Sequence, residues 1–283
     1  HTREFRQTGI EAFGEANRER AEAEIVATVI SGLEAAGLSS YQLRFGDLGL
    51  MSAILRASDM PSRWRRRLLH LFWHPEAFKA ELGRLTTEPG QAAADIPKPL
   101  LDALDPDKPE AAEPAVISYL EEQGIEPIGA RTTAEITENL LGRVKDARSE
   151  PLPAKTAQLI ASYVTIVAPA RSAARRIREL ATLMGINIEA AIGAHEWRLE
   201  LMARAGIDLE RAEFSADFGR ALEYYTGFVF EVITPELGRK SPIAGGGRYD
   251  HLLKAVGAAQ DVPAVGAAVH TDRVLAALNG GAS

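Results

Sequence analysis

The 283-residue chain contains no cysteine, which excludes a disulfide framework and any thiolate metal site and suits a reducing compartment. No run approaches the roughly 18 apolar residues of a membrane span, and no signal-peptide pattern opens the chain, so the expectation is a cytoplasmic protein without a membrane partner. A cationic excess is missing too. The formal charge is −7, which gives no global attraction to nucleic acid or to an anionic membrane. No metal cluster is expected: His70 and His74 lie four apart, but no acid stands between them and Pro75 ends that helix. No internal repeat of solenoid length occurs.

What is present describes a folded protein. Hydrophobic residues make up 46% and charged residues 25%, and the length suits a large domain or a core with an inserted one. The opening "HTREFRQTGIEAFGE" reads as the middle of a sheet and begins at His1, so upstream residues of the same domain are expected. Alternation over 3–14 predicts a strand. Ile25, Val26, Val29, Ile30 and Leu33 then recur at helical spacing up to Gly37, and "YQLRFGDLGL" again reads as a strand. From 59 to 186 helices follow one another, joined by Pro/Asp/Ala-rich connectors. Strands return at 225–233, 242–247 and 263–270, with helical stretches at 249–257 and 271–278. The expected organisation is a sheet-bearing core from 1–58 and 187–283, interrupted by a helical insertion over 59–186.

Several stretches carry chemistry. In "REFRQTGIEAFG" the strand period places Gln7, Gly9 and Glu11 on one face, leaving a gap between a side chain that donates and accepts and one that only accepts. A solvated edge strand gives the same pattern. In "RALEYYTGFVFE" the same period puts Tyr225, Gly227, Val229 and Glu231 on one face and Tyr224, Thr226, Phe228 and Phe230 on the other. Arg220 precedes them, with a planar guanidinium suited either to clamping a carboxylate or phosphate or to pairing with Glu223. "IAGGGRYDHLL" is neither a Walker A loop nor GxGxxG; its glycines suit a tight turn or close approach of backbone to a ligand. "VPAVGAAVHTDRVLAAL" runs from strand to helix with Arg273 at the junction, where it serves a nucleotide phosphate or the surface. The runs "RWRRR" and "RSAARRIREL" place Arg63, Arg67, Arg171, Arg175 and Arg178 on helical faces, either solvated or facing a partner or RNA.

Taken in order, "REFRQTGIEAFG", "RALEYYTGFVFE", "AGGGRYDHLL" and "VGAAVHTDR" resemble the second class II synthetase motif, the two histidine-specific motifs and the third class II motif of histidyl-tRNA synthetases and their relatives. The resemblance covers the chain end to end. It implies an α+β fold with a six-stranded antiparallel sheet flanked by helices, a largely helical insertion and a homodimeric core. It also implies roles for individual residues. Glu11 accepts a hydrogen bond from an imidazole ring, Tyr225 lies against the far side of that ring, and Gln7 faces the ammonium group. Arg220 meets the carboxylate and, in the enzymes, the phosphate of ATP. Tyr249 is a further pocket residue, Gly245 and Gly246 admit the backbone, and Arg273 contacts ATP.

The departures from the family pattern concern catalysis. "RALEYY" replaces Arg-Gly-Leu-Asp-Tyr-Tyr, changing two positions to Ala221 and Glu223, and "HTDR" replaces Gly-Leu-Glu-Arg, with His270 adding bulk where ATP would lie. The sequence runs ten residues past Arg273, where a synthetase is expected to continue into an anticodon-binding domain. These features resemble the synthetase paralogues that serve as regulatory subunits of ATP phosphoribosyltransferase. That resemblance implies a non-catalytic histidine-binding protein with no cofactor and no tRNA, assembled as a hetero-oligomer with a short-form catalytic subunit. The alternative it leaves is the catalytic core of a histidyl-tRNA synthetase.

Overall fold

In a computed structural model, the structure describes residues 5–87, 92–125, 132–219 and 224–280. Contacts divide the chain into two compact units, one made of 1–58 and 159–283, the other of 59–158. Along the chain run β1 (Gln7–Phe13), α1 (Arg18–Ala35), β2 (Gln42–Asp47) and α2 (Leu48–Ala57). The second unit follows with α3 (Ser62–Leu71), α4 (Pro75–Thr87), α5 (Lys98–Ala103), α6 (Pro109–Glu122) and α7 (Thr133–Ala147), and the division falls within α8 (Ala154–Val164). The first unit resumes with β3 (Val167–Pro169), α9 (Ala170–Met184), α10 (Glu189–Arg204), β4 (Ala212–Ser215), β5 (Phe228–Ile233), β6 (Ala244–Arg248), α11 (Leu252–Ala255), β7 (Ala264–His270) and α12 (Thr271–Leu278).

The sheet is mixed, with seven strands in the order β1-β7-β6-β5-β2-β4-β3. This corrects the expectation of six antiparallel strands. β2 and β4 pair in parallel, which the long helical connection between them permits, and β3 adds a short edge antiparallel to β4. Three residues are too few to show a period of two, and Pro169 suits an edge position, so β3 left no strand signal in the sequence. The second unit ends at 158 rather than 186: residues 159–186 go with the sheet, because α9 buries Ala170, Ala173, Ala174, Ile177, Leu180 and Ala181. Its arginines hide that small-residue face from a composition reading.

Local chemistry explains the elements that frame the site. Asn17 caps α1 by accepting from Arg20 N at 3.0 Å, and the helix stops where Gly37 turns to a φ of +99° and Leu38 N reaches Leu33 O at 3.0 Å. The stretch read as one strand, "YQLRFGDLGL", breaks at Asp47, whose carboxylate accepts from Gly49 N at 2.7 Å and starts α2. α11 is a single turn, shorter than the 249–257 expected, and is followed by Gly257 at a φ of +116°.

Register sorts the sheet into two faces. One row joins Ile10, Ala267, Gly246, Phe230, Phe45 and Phe214; with Phe228 its aromatics form the buried face, the Phe228 and Phe230 rings stacked 6.0 Å apart. Helix α1 packs against β1, β6 and β7, and α10 packs on α1. Burial of each of these phenylalanines contributes about 1.5–3 kcal/mol relative to exposure. The adjacent rows point the other way. They join Glu11, Gly266, Gly247, Val229 and Gly46, then Gly9, Ala268, Gly245, Glu231, Arg44 and Glu213. In the second unit, Ala93, Ile96, Leu100, Leu104, Ala112, Val116 and Val144 form a core of their own.

Candidate functional site

The polar face has a floor almost free of side chains beside β1. A Cβ at Gly266 would overlap the Glu11 carboxylate, which therefore lies across β7 at the one residue type that admits it. At Gly247 a Cβ would stand 2.9 Å from Tyr225 Cε1 and 2.7 Å from Val229 Cγ1. Neither glycine has positive φ, so each is explained by close approach rather than by backbone conformation.

Three tyrosines wall this floor. Tyr249 donates its hydroxyl to Glu11 Oε2, the Tyr224 and Tyr225 ring centroids lie 4.7 Å apart, and Tyr224 meets Tyr249 edge-on at 5.7 Å. Burial, then the hydrogen bond to Glu11, pushes the Tyr249 phenol well above its ordinary pKa, so it stays a donor at neutral pH. Glu11 accepts from it and keeps further lone pairs for a ligand. Gln7 lies four residues along the same face, about 13 Å away at strand rise, a span that accommodates a free amino acid. Glu231, buried at 6% exposure, pairs with Arg44 Nη1 at 3.5 Å further across the face.

Gln7, Glu11, Tyr225 and Tyr249 are thus brought to one face. Gly245 shares it, in register with Glu231. Gly246 does not: it belongs to the buried row, where a Cβ would overlap the Gly266 carbonyl and stand 2.8 Å from Ala267 Cβ. Of the glycines lining the recess, Gly247 stands in the run whose glycines suit close approach of backbone, whereas Gly266 carries no such signal, because its place depends on which strands pair. Tyr224 was expected on the opposite face with Phe228 and Phe230, but β5 begins only at Phe228, so alternation does not extend to it. Arg220, with Ala221 and Glu223, lies outside the described residues.

The residues expected at a nucleotide are differently engaged. Arg273 Nη1 donates to the Pro242 carbonyl at 2.7 Å, and the His270 ring packs against Phe5 with centroids 5.7 Å apart. The basic helical faces carry mixed charge: Arg63 pairs with Asp146 at 2.8 Å, Arg67 with Glu81 at 3.0 Å, Arg171 with Glu210 at 3.6 Å, Arg175 with Glu179 at 3.0 Å and Arg178 with Glu189 at 2.6 Å. Among the described residues no group of three or more His, Asp or Glu is placed to hold a metal ion, and no helix is long and apolar enough to cross a membrane.

Comparison with known proteins gives the family. The profile of the family described as histidyl-tRNA synthetase matches residues 1–107 and 124–274. ATP phosphoribosyltransferase regulatory subunits are similar over 96% of the chain, at 32% identity for that of Brucella anthropi and 33% for that of Agrobacterium fabrum, with 72% of each relative covered. Among solved structures, a Bacillus halodurans protein described as an ATP phosphoribosyltransferase regulatory subunit/histidyl-tRNA synthetase superposes with a TM-score of 0.61 at 20% identity, and the histidyl-tRNA synthetase of Nostoc sp. with 0.58 at 16%. Each superposition covers 97% of this chain, which spans 54% of the first structure's chain and 50% of the second's. The chain belongs to the histidyl-tRNA synthetase family and, within it, to the ATP phosphoribosyltransferase regulatory subunits.

Proposed function

We propose that this protein is a non-catalytic regulatory subunit of ATP phosphoribosyltransferase, acting at the first step of L-histidine biosynthesis and sensing L-histidine in the recess beside β1. The observation that carries the pocket is Glu11, laid over Gly266 and held by the Tyr249 hydroxyl. A carboxylate fixed by one neutral donor, between aromatic walls, suits a ring N–H and an imidazole π-face. In this reading Tyr225 lies along the ring, Gln7 meets the ammonium and Arg220 the carboxylate. Its partner is a short-form catalytic subunit, joined by a homodimeric core of this chain within a cytoplasmic hetero-oligomer.

A histidyl-tRNA synthetase core is the second reading, favoured by the family profile over most of the chain. Two contacts weigh against it: Arg273 is engaged by a backbone carbonyl, and His270 and Phe5 occupy one another. The deciding experiment is co-purification with the short catalytic subunit, a rate assay with and without histidine, and a tRNA-charging assay. A joint complex whose rate responds to histidine, with no charging, supports the regulatory subunit. Charging at ordinary synthetase turnover, about 1 s⁻¹ or more, supports the enzyme.

A further inference from the structure

Beneath the tyrosines, on the opposite face of the sheet, lies a charged cluster that takes no part in the recess. Glu22 on α1 accepts from Arg198 Nε through one oxygen and from Arg248 Nε through the other. Arg198 Nη1 reaches Asp47 Oδ2 at 2.8 Å, Arg248 Nη1 reaches Asp250 Oδ1 at 2.8 Å, and Arg248 Nη2 donates to the Arg18 carbonyl at 3.0 Å. These five side chains belong to residues no more than 6% exposed. Three buried carboxylates face two buried guanidiniums, and Arg18, itself largely exposed, supplies a third cation 3.3 Å from Asp250. Burial alone would lower the pKa of Arg198 and Arg248, but the carboxylates outweigh it and raise both, so both stay charged.

Such a cluster is often less stabilising than apolar residues of the same volume, which directs attention to what it specifies. Arg248 and Asp250 bracket Tyr249 in the chain; they reach the helix-covered face while Tyr249 reaches the recess. The Arg248 carbonyl accepts from Thr226 N at 2.8 Å, and Asp250 N donates to Thr226 Oγ1 at 3.1 Å. Thr226 is the neighbour of Tyr225. On the other side, Asp250 Oδ1 accepts from Ala264 N at 2.9 Å, and the Ala264 carbonyl accepts from Tyr249 N at 2.8 Å. Both recess tyrosines are therefore tied, through their immediate neighbours, to one buried anchor.

We infer that Thr226 and Asp250 are positioning residues for the recess: they fix Tyr225 and Tyr249, and through Tyr249 the Glu11 carboxylate, and so set affinity for an imidazole-bearing ligand from the far side of the sheet. The ligand rests on the histidine reading above. The test uses the full chain, calorimetry with L-histidine, and the proton NMR signal of the Tyr249 hydroxyl, assigned by its loss in Tyr249→Phe. Thr226→Val keeps shape and removes the acceptor, Thr226→Ser keeps the acceptor, and Asp250→Asn keeps one acceptor oxygen but removes the charge and the second oxygen that faces Arg18. Thr226→Val and Asp250→Asn are expected to weaken histidine at least tenfold and to broaden the hydroxyl signal, with Thr226→Ser within twofold of the parent in both. Should Asp250→Asn fail to fold, the Thr226 pair decides alone. An unchanged hydroxyl signal in Thr226→Val overturns the inference, whatever happens to affinity, as does affinity within twofold of the parent. If the parent itself binds no histidine, the functional reading fails and the hydroxyl signal alone judges the positioning.

Discussion

Glu11 is where chemistry and packing meet. Glu11→Ala removes the acceptor for a ring N–H and leaves the Tyr249 hydroxyl without its partner, so histidine binding is expected to disappear from calorimetry while the fold persists. Sites built around a ligand's hydrogen-bonding group discriminate by about 10⁴–10⁵, because an analogue without it leaves buried groups unpaired. Gly266→Ala tests the same point from below: the new Cβ displaces the carboxylate, so binding is expected to be lost although Glu11 remains. His195 is a second residue with a consequence of its own. It is 1% exposed, its ring lies edge-on to Phe214 at 5.2 Å, and burial, with repulsion from Arg198, lowers its pKa to about 3. The folded state therefore keeps it neutral while the unfolded chain protonates it near 6.5, so its contribution is intact above pH 6.5 and is lost as pH falls toward 3. At pH 4.5 that loss is on the order of 3 kcal/mol from this residue. Chemical denaturation of the parent and of His195→Phe between pH 7 and 4.5 checks it: the stability difference between them should shrink toward acid, or reverse, by about that amount.

The strands β6 and β7 show how one glycine run serves two faces. Gly246 lets β6 approach β7 on the buried side, whereas Gly247 leaves space for Tyr225 on the polar side. Gly246→Ala is therefore expected to destabilise by about 1–3 kcal/mol, the usual cost of overpacking, and to act on strand pairing. Gly247→Ala should add a loss of histidine affinity by pushing the Tyr225 ring. Urea unfolding together with calorimetry separates the two: a Gly246→Ala protein with full stability would show that β6 and β7 can part without cost.

For the whole molecule the expectation is linkage. Histidine at about 100 times its dissociation constant should stabilise the protein by about 2.7 kcal/mol, read as a shifted melting curve. If histidine also biases the assembly with the catalytic subunit, a coupling of about 1–3 kcal/mol, or 5–150-fold in affinity, is typical. Size-exclusion chromatography with light scattering on the mixed proteins should then show one larger species. Separate elution at micromolar concentration, with an unchanged catalytic rate, would exclude that assembly. The docking surface is not signalled by charge, since Arg63, Arg67, Arg171 and Arg175 each face a carboxylate.

Local pattern alone was enough for the strands that bear the site. Gln7, Gly9 and Glu11 share a face because a strand alternates, and α1 was legible because five apolar residues recur at helical spacing and Gly37 stops them. The order of four short motifs was enough for the family. Tertiary structure decided what depends on partners distant in sequence. Register separates Gly246 from Gly247, and the start of β5 at Phe228 frees Tyr224 to join the other tyrosines. Pairing with β4 turns 167–169 into a strand. Nothing adjacent to Arg248 and Asp250 in the sequence signals their burial; Glu22, more than 220 residues earlier, closes over Arg248 only in the fold. The physical reason is the same in each case. Alternation and helical spacing are properties of a few adjacent residues, whereas which glycine lacks room and which charge is buried depend on segments brought together only by folding.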